Sequence, residues 1–258
     1  MRSMSLIVIG AAVSSAGAVI GWPSAHGAPA VAPPPGVAAA GTAPAPDRWE
    51  SALAAFEARD REHPPAPGGI WLLGSSNIRL WKTLDTDFPG MPLEGRGVGG
   101  CRLAELAEFA PRLVAAGSPR VIVVSAGTND VNAGADAAEV RDAFARLVAN
   151  VRETRPDAVI AFLAIAPSIK RWEQIDRQRA ANEAVRAFIE AADDDRLRYL
   201  DASADFLGPD GKPDPACFVA DLLHPSVEGN ARRAAILRPV FAELLDAAPQ
   251  VTPAAVAP

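Results

Sequence analysis

The sequence predicts an α/β domain built on a parallel sheet with helices on both faces, and three observations carry that reading. Short segments such as Ile70–Leu73, Val121–Ala126 and Val159–Ile165 are apolar throughout rather than alternating, as strands buried on both faces are. Longer segments between them repeat apolar residues every three or four positions, the period of a helix packed on one side. The two patterns also alternate along the chain, the order that leads to parallel pairing through helical crossovers.

The elements follow in order. Asp47 is placed to cap a helix running to about Glu62, with Trp49, Leu53 and Phe56 on one face. Ile70–Leu73 is the first strand. A second strand precedes Gly95, although Pro89-Gly90-Met91-Pro92 is poor strand sequence. Leu103–Ala115 is helical in pattern, with Pro111 as a potential kink. Val121–Ala126 is a strand, followed by a helix over Ala137–Glu153 that carries Val140, Phe144, Leu147 and Val151 on one stripe. Val159–Ile165 is the next strand and Glu173–Ala192 the next helix. Leu197–Leu200 is the last strand, and a final helix spans about Ser226–Leu245.

The ends are of different character. Arg2 followed by the apolar run Leu6–Ile20 and the small residues Ala25-His26-Gly27 fits an export signal over residues 1–27, with an uncleaved anchor as the alternative. The run is short for a membrane span. Residues 28–46 are mostly Ala, Pro, Gly and Val without charge, a linker composition that returns at 247–258. One domain, 47–246, is left between them, in a protein expected in the periplasm or the medium with no stable membrane span after processing. A formal net charge of -6 with no basic stripe argues against nucleic acid as a partner. The two cysteines, Cys101 and Cys217, read equally as a disulfide of an exported protein or as two small buried apolar residues.

Sites in parallel sheets form beyond the carboxyl ends of the strands, so the residues after each strand are the ones to inspect. They are Gly74-Ser75-Ser76-Asn77, Gly95-Arg96-Gly97-Val98-Gly99-Gly100 and Gly127-Thr128-Asn129-Asp130. Just before the last helix comes Asp221-Leu222-Leu223-His224-Pro225. Each alone reads as a turn or a capped helix entry. The histidine count narrows the choice. Of His26, His63 and His224, the first falls in the export signal and the second before Pro64-Pro65 at a helix end, so histidine chemistry would fall to His224. The Gly95–Gly100 run also fits a dinucleotide-binding G-x-G-x-x-G, but the next strand ends in Ser125-Ala126 with no acidic residue to hold a ribose. No metal-binding spacing of histidines or cysteines is present, and no cofactor is expected.

Taken together, these four blocks, in this order, resemble the GDSL or SGNH hydrolase family. Gly74-Ser-Ser-Asn-Ile-Arg-Leu-Trp81 is similar to the first block of the branch in which Gly-Asp-Ser becomes Gly-Ser-Ser. The resemblance implies a three-layer α/β/α sandwich of flavodoxin-like layout with a five-stranded parallel sheet. It also implies ester hydrolysis by a serine without metal or cofactor. On that resemblance Ser76 matches the nucleophile, Gly100 the second-block glycine, Asn129 the third-block asparagine, and Asp221 with His224 the D-x-x-H. Ser75, where many members carry Asp, is the departure, and it leaves two adjacent serines as candidates.

The residue types suit the chemistry. A serine hydroxyl becomes a good nucleophile when a neighbouring imidazole takes its proton, and a carboxylate orients that imidazole and stabilises its cation. Oxyanion charge would be received by the Ser76 and Gly100 N–H groups and the Asn129 amide. The expected activity is that of an exported serine esterase acting on small acyl esters or carbohydrate O-acetyl esters. A lysophospholipase or thioesterase, and a non-catalytic glycan-binding module on the same scaffold, are the alternatives. Trp81, Arg171 and Trp172 stand as either pocket-lining or packing residues. A disulfide from Cys101 to Cys217 would tie the loops around the site if both converge there.

Overall fold

A computed structural model describes residues 47–249; the expected export signal, the linker and all but the first residues of the expected tail lie outside them. The strands are β1 (Ile70–Gly74), β2 (Leu93–Gly97), β3 (Val121–Ser125), β4 (Val159–Leu163) and β5 (Leu197–Leu200). The helices are α1 (Asp47–Glu62), α2 (Ser76–Arg79), α3 (Leu84–Asp87), α4 (Leu103–Val114), α5 (Thr128–Asn132), α6 (Ala137–Arg152), α7 (Ile175–Ala191) and α8 (Val227–Ala247). The sheet is five-stranded, in the order β2-β1-β3-β4-β5, with every pair parallel.

Successive strand residues point to opposite faces, and each face has its own core. Trp71, Leu73, Ile122, Val124, Ile160 and Phe162 pack with apolar residues of α1, α4, α6 and α7. Ile70, Leu72, Val121, Val123, Val159 and Ala161 face α2, α3 and α8 on the other side. A three-layer α/β/α sandwich results, and its apolar strands are explained by their being covered twice. Burying a side chain such as Phe144 or Phe162 contributes about 1.5–3 kcal/mol, so the sheet is held mainly by its two cores.

The second strand differs from its expected form. Gly95 and Gly97 lie inside β2 and not in a turn after it, so the glycine run cannot wrap a pyrophosphate. As an edge strand, β2 pairs only with β1. In place of an apolar stripe it buries Arg96, which is 0% exposed. That guanidinium donates to both Asp60 carboxylate oxygens, at 2.6 and 2.9 Å, and lies over the Trp71 ring at 4.2 Å. Burial of a charge is tolerated here because it is paired and bidentate.

The other ends move by a residue or two. The helix expected over Glu173–Ala192 is α7, which starts at Ile175, and a 3₁₀ turn, Ile169–Gln174, precedes it with a non-helical backbone at Arg171. Pro111 is carried within α4. The two cysteines are separate buried thiols: Cys101 Sγ donates to Gly74 O at 3.8 Å and Cys217 Sγ to Asp205 O at 3.6 Å. The packing alternative therefore holds and the disulfide does not. No helix among the described residues is long and apolar enough to cross a membrane.

Candidate active site

The strand order reverses direction at β1: the chain steps outward to β2, then returns to the other side of β1 with β3. The crevice above the carboxyl ends of β1 and β3 is therefore the switch point where such sheets bind ligands. The Gly74–Asn77 and Gly127–Asn129 turns leave these two strands side by side.

Close packing of the first turn needs Gly74: a Cβ there would stand 2.4 Å from Ser125 O on the neighbouring strand. The Ser75 N–H donates to that same carbonyl at 3.4 Å, and the Ser75 residue is 1% exposed. Ser76 then opens α2 with its hydroxyl half-buried at the crevice. The buried serine is a structural turn residue, and the accessible one is Ser76. On the turn that follows β2, Gly100 has φ +84°, a left-handed conformation that side chains rarely adopt. A methyl group there would also approach Trp49 to 3.9 Å. Among the described residues the Ser76 and Gly100 N–H groups have no hydrogen-bond acceptor.

His224 reaches Ser76 across the chain: its Nε2 lies 2.8 Å from Ser76 Oγ. Its Nδ1 lies 2.6 Å from Asp221 Oδ2. The other Asp221 oxygen accepts the backbone N–H groups of Leu223 and His224, both at 2.9 Å. Asp221 and His224 are thus paired by a tight turn before α8, and not by a helical turn. What burial there is works to raise the Asp221 pKa, but the hydrogen bonds from the His224 ring and the two N–H groups outweigh it and hold the carboxyl down at about 2. The carboxylate is ionised wherever a neutral-pH enzyme works, so it fixes Nδ1–H toward itself and leaves Nε2 as acceptor for the Ser76 proton.

Asn129 stands at the start of α5. Its Nδ2 donates to Cys101 O at 3.0 Å, and its Oδ1 accepts from both terminal nitrogens of Arg171 at 3.1 Å. The neighbouring Asp130, 3% exposed, accepts the Leu103 N–H at 2.8 and 3.0 Å and the Ala104 N–H at 3.4 Å. It serves the start of α4 as a cap from another segment.

All five expected site residues, Ser76, Gly100, Asn129, Asp221 and His224, fall on the turns that border this crevice. Trp81 is mainly a packing residue, and the pocket it borders is lined by Ile78, Arg79 and Leu84 and by none of the five site residues. Trp81 is 3% exposed, donates from Nε1 to Asp87 Oδ2 at 2.6 Å, and packs against Phe88. Trp172 is half-buried. Sequence reasoning did not find the parts played by Asp130 or the Cys101 carbonyl. Asp130 had a signal, an acid next to the third-block asparagine; a backbone carbonyl has none. Among the described residues no group of three His, Cys, Asp or Glu side chains is placed to hold a metal ion.

Comparison with known proteins bears on this arrangement. The model of the GDSL-like lipase/acylhydrolase family matches residues 73–232, more than half of the chain. Among solved structures, a protein from Streptococcus pneumonia superposes with a TM-score of 0.67 at 17% identity, covering 75% of this chain and 92% of its own. A GDSL-like lipase from Bacteroides thetaiotaomicron gives 0.59 at 17% identity, with 74% and 98% covered. A carbohydrate esterase family 3 structure from Talaromyces cellulolyticus gives 0.50 at 17%, with 69% and 97% covered. The sequence has no match among curated proteins.

Proposed function

The chain belongs to the GDSL-like lipase/acylhydrolase family, and from that premise we propose that it is an exported serine esterase that cleaves short-acyl or carbohydrate O-acetyl esters through Ser76, His224 and Asp221. The observation that carries the reading is the hydrogen-bonded relay from Ser76 Oγ to His224 Nε2 at 2.8 Å and from His224 Nδ1 to Asp221 at 2.6 Å.

In this scheme Ser76 Oγ attacks the acyl carbon while its proton passes to His224 Nε2. The carbonyl oxygen takes up the negative charge and accepts hydrogen bonds from the Ser76 and Gly100 N–H groups and from Asn129 Nδ2. Collapse of the adduct expels the alcohol, which leaves with the His224 proton. A water molecule, deprotonated by the same imidazole, then releases the acid and restores Ser76. Asp221 stays ionised and stabilises the imidazolium at each stage.

Two features support a small acyl group. Among the described residues, the segments that border the crevice outside the regular α/β alternation carry only short helical turns, such as α2, α5 and Ile169–Gln174, and no long apolar helix, and a methyl group added at Gly100 would already be in contact with Trp49 and Arg48. A long alkyl chain gains affinity only where its methylenes are buried, about 0.8 kcal/mol each. One observation favours the lipid alternative: Val219, Leu222 and Val227, the exposed large apolar residues among those described, all lie within five positions of His224. Hydrolysis of nitrophenyl acetate, butyrate, octanoate and palmitate below micelle concentrations separates the two. We expect kcat/KM to be greatest for acetate or butyrate; a steady rise toward palmitate would replace the short-acyl reading with the lipase one. Export rests on the apolar run Leu6–Ile20 followed by small residues. Its test is the N-terminal sequence of the protein recovered outside the cytoplasm, expected to begin near residue 28.

A further inference from the structure

Arg171 has no carboxylate partner among the described residues. It is half-buried, and burial pulls its pKa below the ordinary arginine value. Every hydrogen bond its side chain makes goes to Thr128 or Asn129. Nη1 donates to Thr128 O and Thr128 Oγ1 at 3.0 Å and to Asn129 Oδ1 at 3.1 Å, and Nη2 donates to Asn129 Oδ1 at 3.1 Å. A cation taken partly out of water, with its donors spent on one amide and its neighbour, is an expensive arrangement for packing alone.

The segment that carries it is pinned on all sides. Asn182 of α7 holds Ile165 by both backbone groups, at 2.8 and 3.0 Å. The Lys170 N–H donates to Leu222 O at 2.9 Å, inside the Asp221–His224 turn. Gln174 Nε2 donates to Asn132 Oδ1 at 3.1 Å. The Ile169–Gln174 turn therefore bridges the asparagine side of the site to the histidine side, with Arg171 at its non-helical residue.

We propose that Arg171 is a positioning residue for the oxyanion site: by donating twice to Asn129 Oδ1 it fixes the amide so that Nδ2 faces the acyl oxygen. An amide has two orientations, and only one fits here. In the observed one Oδ1 meets two N–H donors and Nδ2 meets the Cys101 carbonyl. In the flipped one a donor would face the guanidinium, an acceptor would face the Cys101 carbonyl, and an oxygen would face the developing oxyanion. The cation also polarises the amide it binds, which strengthens Nδ2–H as a donor. Nδ2 has two hydrogens; Cys101 O takes one and the other is free for substrate. This inference rests on the esterase reading above.

The test is a double-mutant cycle on Arg171 and Asn129 in the full-length protein, with nitrophenyl acetate as substrate and a trifluoromethyl ketone as tetrahedral analogue. Loss of one oxyanion donor costs about 10²–10³-fold in kcat, which is the expectation for Asn129→Ala. Arg171→Ala should lower kcat and analogue affinity together, by about tenfold or more, with KM changed less than about twofold. Arg171→Lys, which keeps the charge and its donors on a single nitrogen, should recover part of that loss. In the Asn129→Ala background, Arg171→Ala should cost less than about twofold, because the group it positions is gone. An equal loss in both backgrounds overturns the proposal, and so does an Arg171→Ala enzyme with unchanged kcat. If Arg171→Ala fails to fold, Arg171→Lys and Arg171→Gln carry the same cycle, and unchanged kcat in both overturns it. Failure of the esterase reading looks different: wild-type protein would then hydrolyse no ester and bind no analogue.

Discussion

The two halves of the site are built in opposite ways. Ser76, Gly100 and Asn129 stand on the turns that leave β1, β2 and β3, and their surroundings are buried: Ser75 is 1% exposed, Asp130 3% and Cys101 0%. Asp221 and His224 stand on a surface turn, with side-chain exposures of 41% and 20%. That turn is held mostly by its own backbone. Val219 N–H donates to His224 O at 3.0 Å and Leu222 N–H to Val219 O at 2.9 Å, while Leu222 sits at φ +60°. Groups that must meet developing charge without moving belong on the rigid scaffold, because preorganised donors cost nothing to reorient at the moment of reaction. The base has a looser task, receiving a proton and returning it. Mutations in the first half should therefore affect catalysis and stability together, and those in the second mainly catalysis.

The largest effect tests the assignment of the nucleophile. Ser76→Ala should lower hydrolysis by about 10⁶-fold, with no stoichiometric labelling by a fluorophosphonate. Ser75→Ala should keep substantial activity and full labelling, since its side chain is buried in the turn. Loss of labelling only in Ser75→Ala would move the nucleophile one residue. On the histidine side, Asp221→Asn should lower kcat by about 10⁴-fold with little change in KM. The same variant has a second readout. A carboxyl depressed from 3.8 to about 2 stabilises the fold above the upper value and loses that contribution as pH falls through the lower. The difference in urea midpoint between wild type and Asp221→Asn should shrink between these two pH values. The difference itself should be small, because the group is open to solvent. A large destabilisation at neutral pH would mean that the two halves are not as distinct as their burial suggests.

How much of this was legible in the sequence also divides along the two halves. The apolar strands and striped helices announce themselves because double burial demands apolar residues at every strand position. The relay residues are legible by a different route, since only three histidines occur and the four blocks follow one another in the order of the family they resemble. The edge strand β2 was poorly legible because it replaces an apolar stripe with a buried Arg96–Asp60 pair, whose partners lie 36 positions apart. The short helices α2, α3 and α5 leave no period to detect. The 3₁₀ turn before α7 is not legible beyond its last two residues, Glu173 and Gln174, which the sequence pattern joins to that helix, because six residues are too few to show a period. Arg171 was visible as a residue and not as a role, since its partner is an amide 42 positions away.

Of smaller expected effect is Asp130→Ala, in the rigid half. It removes the acceptor of the Leu103 and Ala104 N–H groups within a buried setting. Leaving buried donors unpaired costs about 1–3 kcal/mol. Chemical unfolding should show a loss in that range, and kcat should fall with it because Cys101 O and Asn129 flank the same junction. Asp130→Asn keeps an acceptor oxygen and should lose less. Equal stability of Asp130→Ala and wild type would show that water replaces the carboxylate there.

The smallest effect is at Leu222, in the exposed half. A leucine at φ +60° is held in a conformation that costs a side-chain-bearing residue about 1–2 kcal/mol, and glycine adopts it freely. The Leu222 residue is 43% exposed, so truncation gives up little burial. Glycine also enlarges the conformational freedom of the unfolded chain, which opposes the gain by up to about 1 kcal/mol. The two terms nearly cancel, and Leu222→Gly should lie within about 1 kcal/mol of wild type in urea unfolding. Its carbonyl still accepts from Lys170 and its neighbours still turn toward Asp221, so kcat on nitrophenyl acetate should fall less than about threefold. Kinetics on longer acyl chains give the discriminating result. If Leu222 only closes a turn, the profile across acyl lengths is unchanged. If octanoate and palmitate alone lose rate, its exposed side chain is a contact for alkyl chains, and the looser half of the site is also the half that selects the substrate.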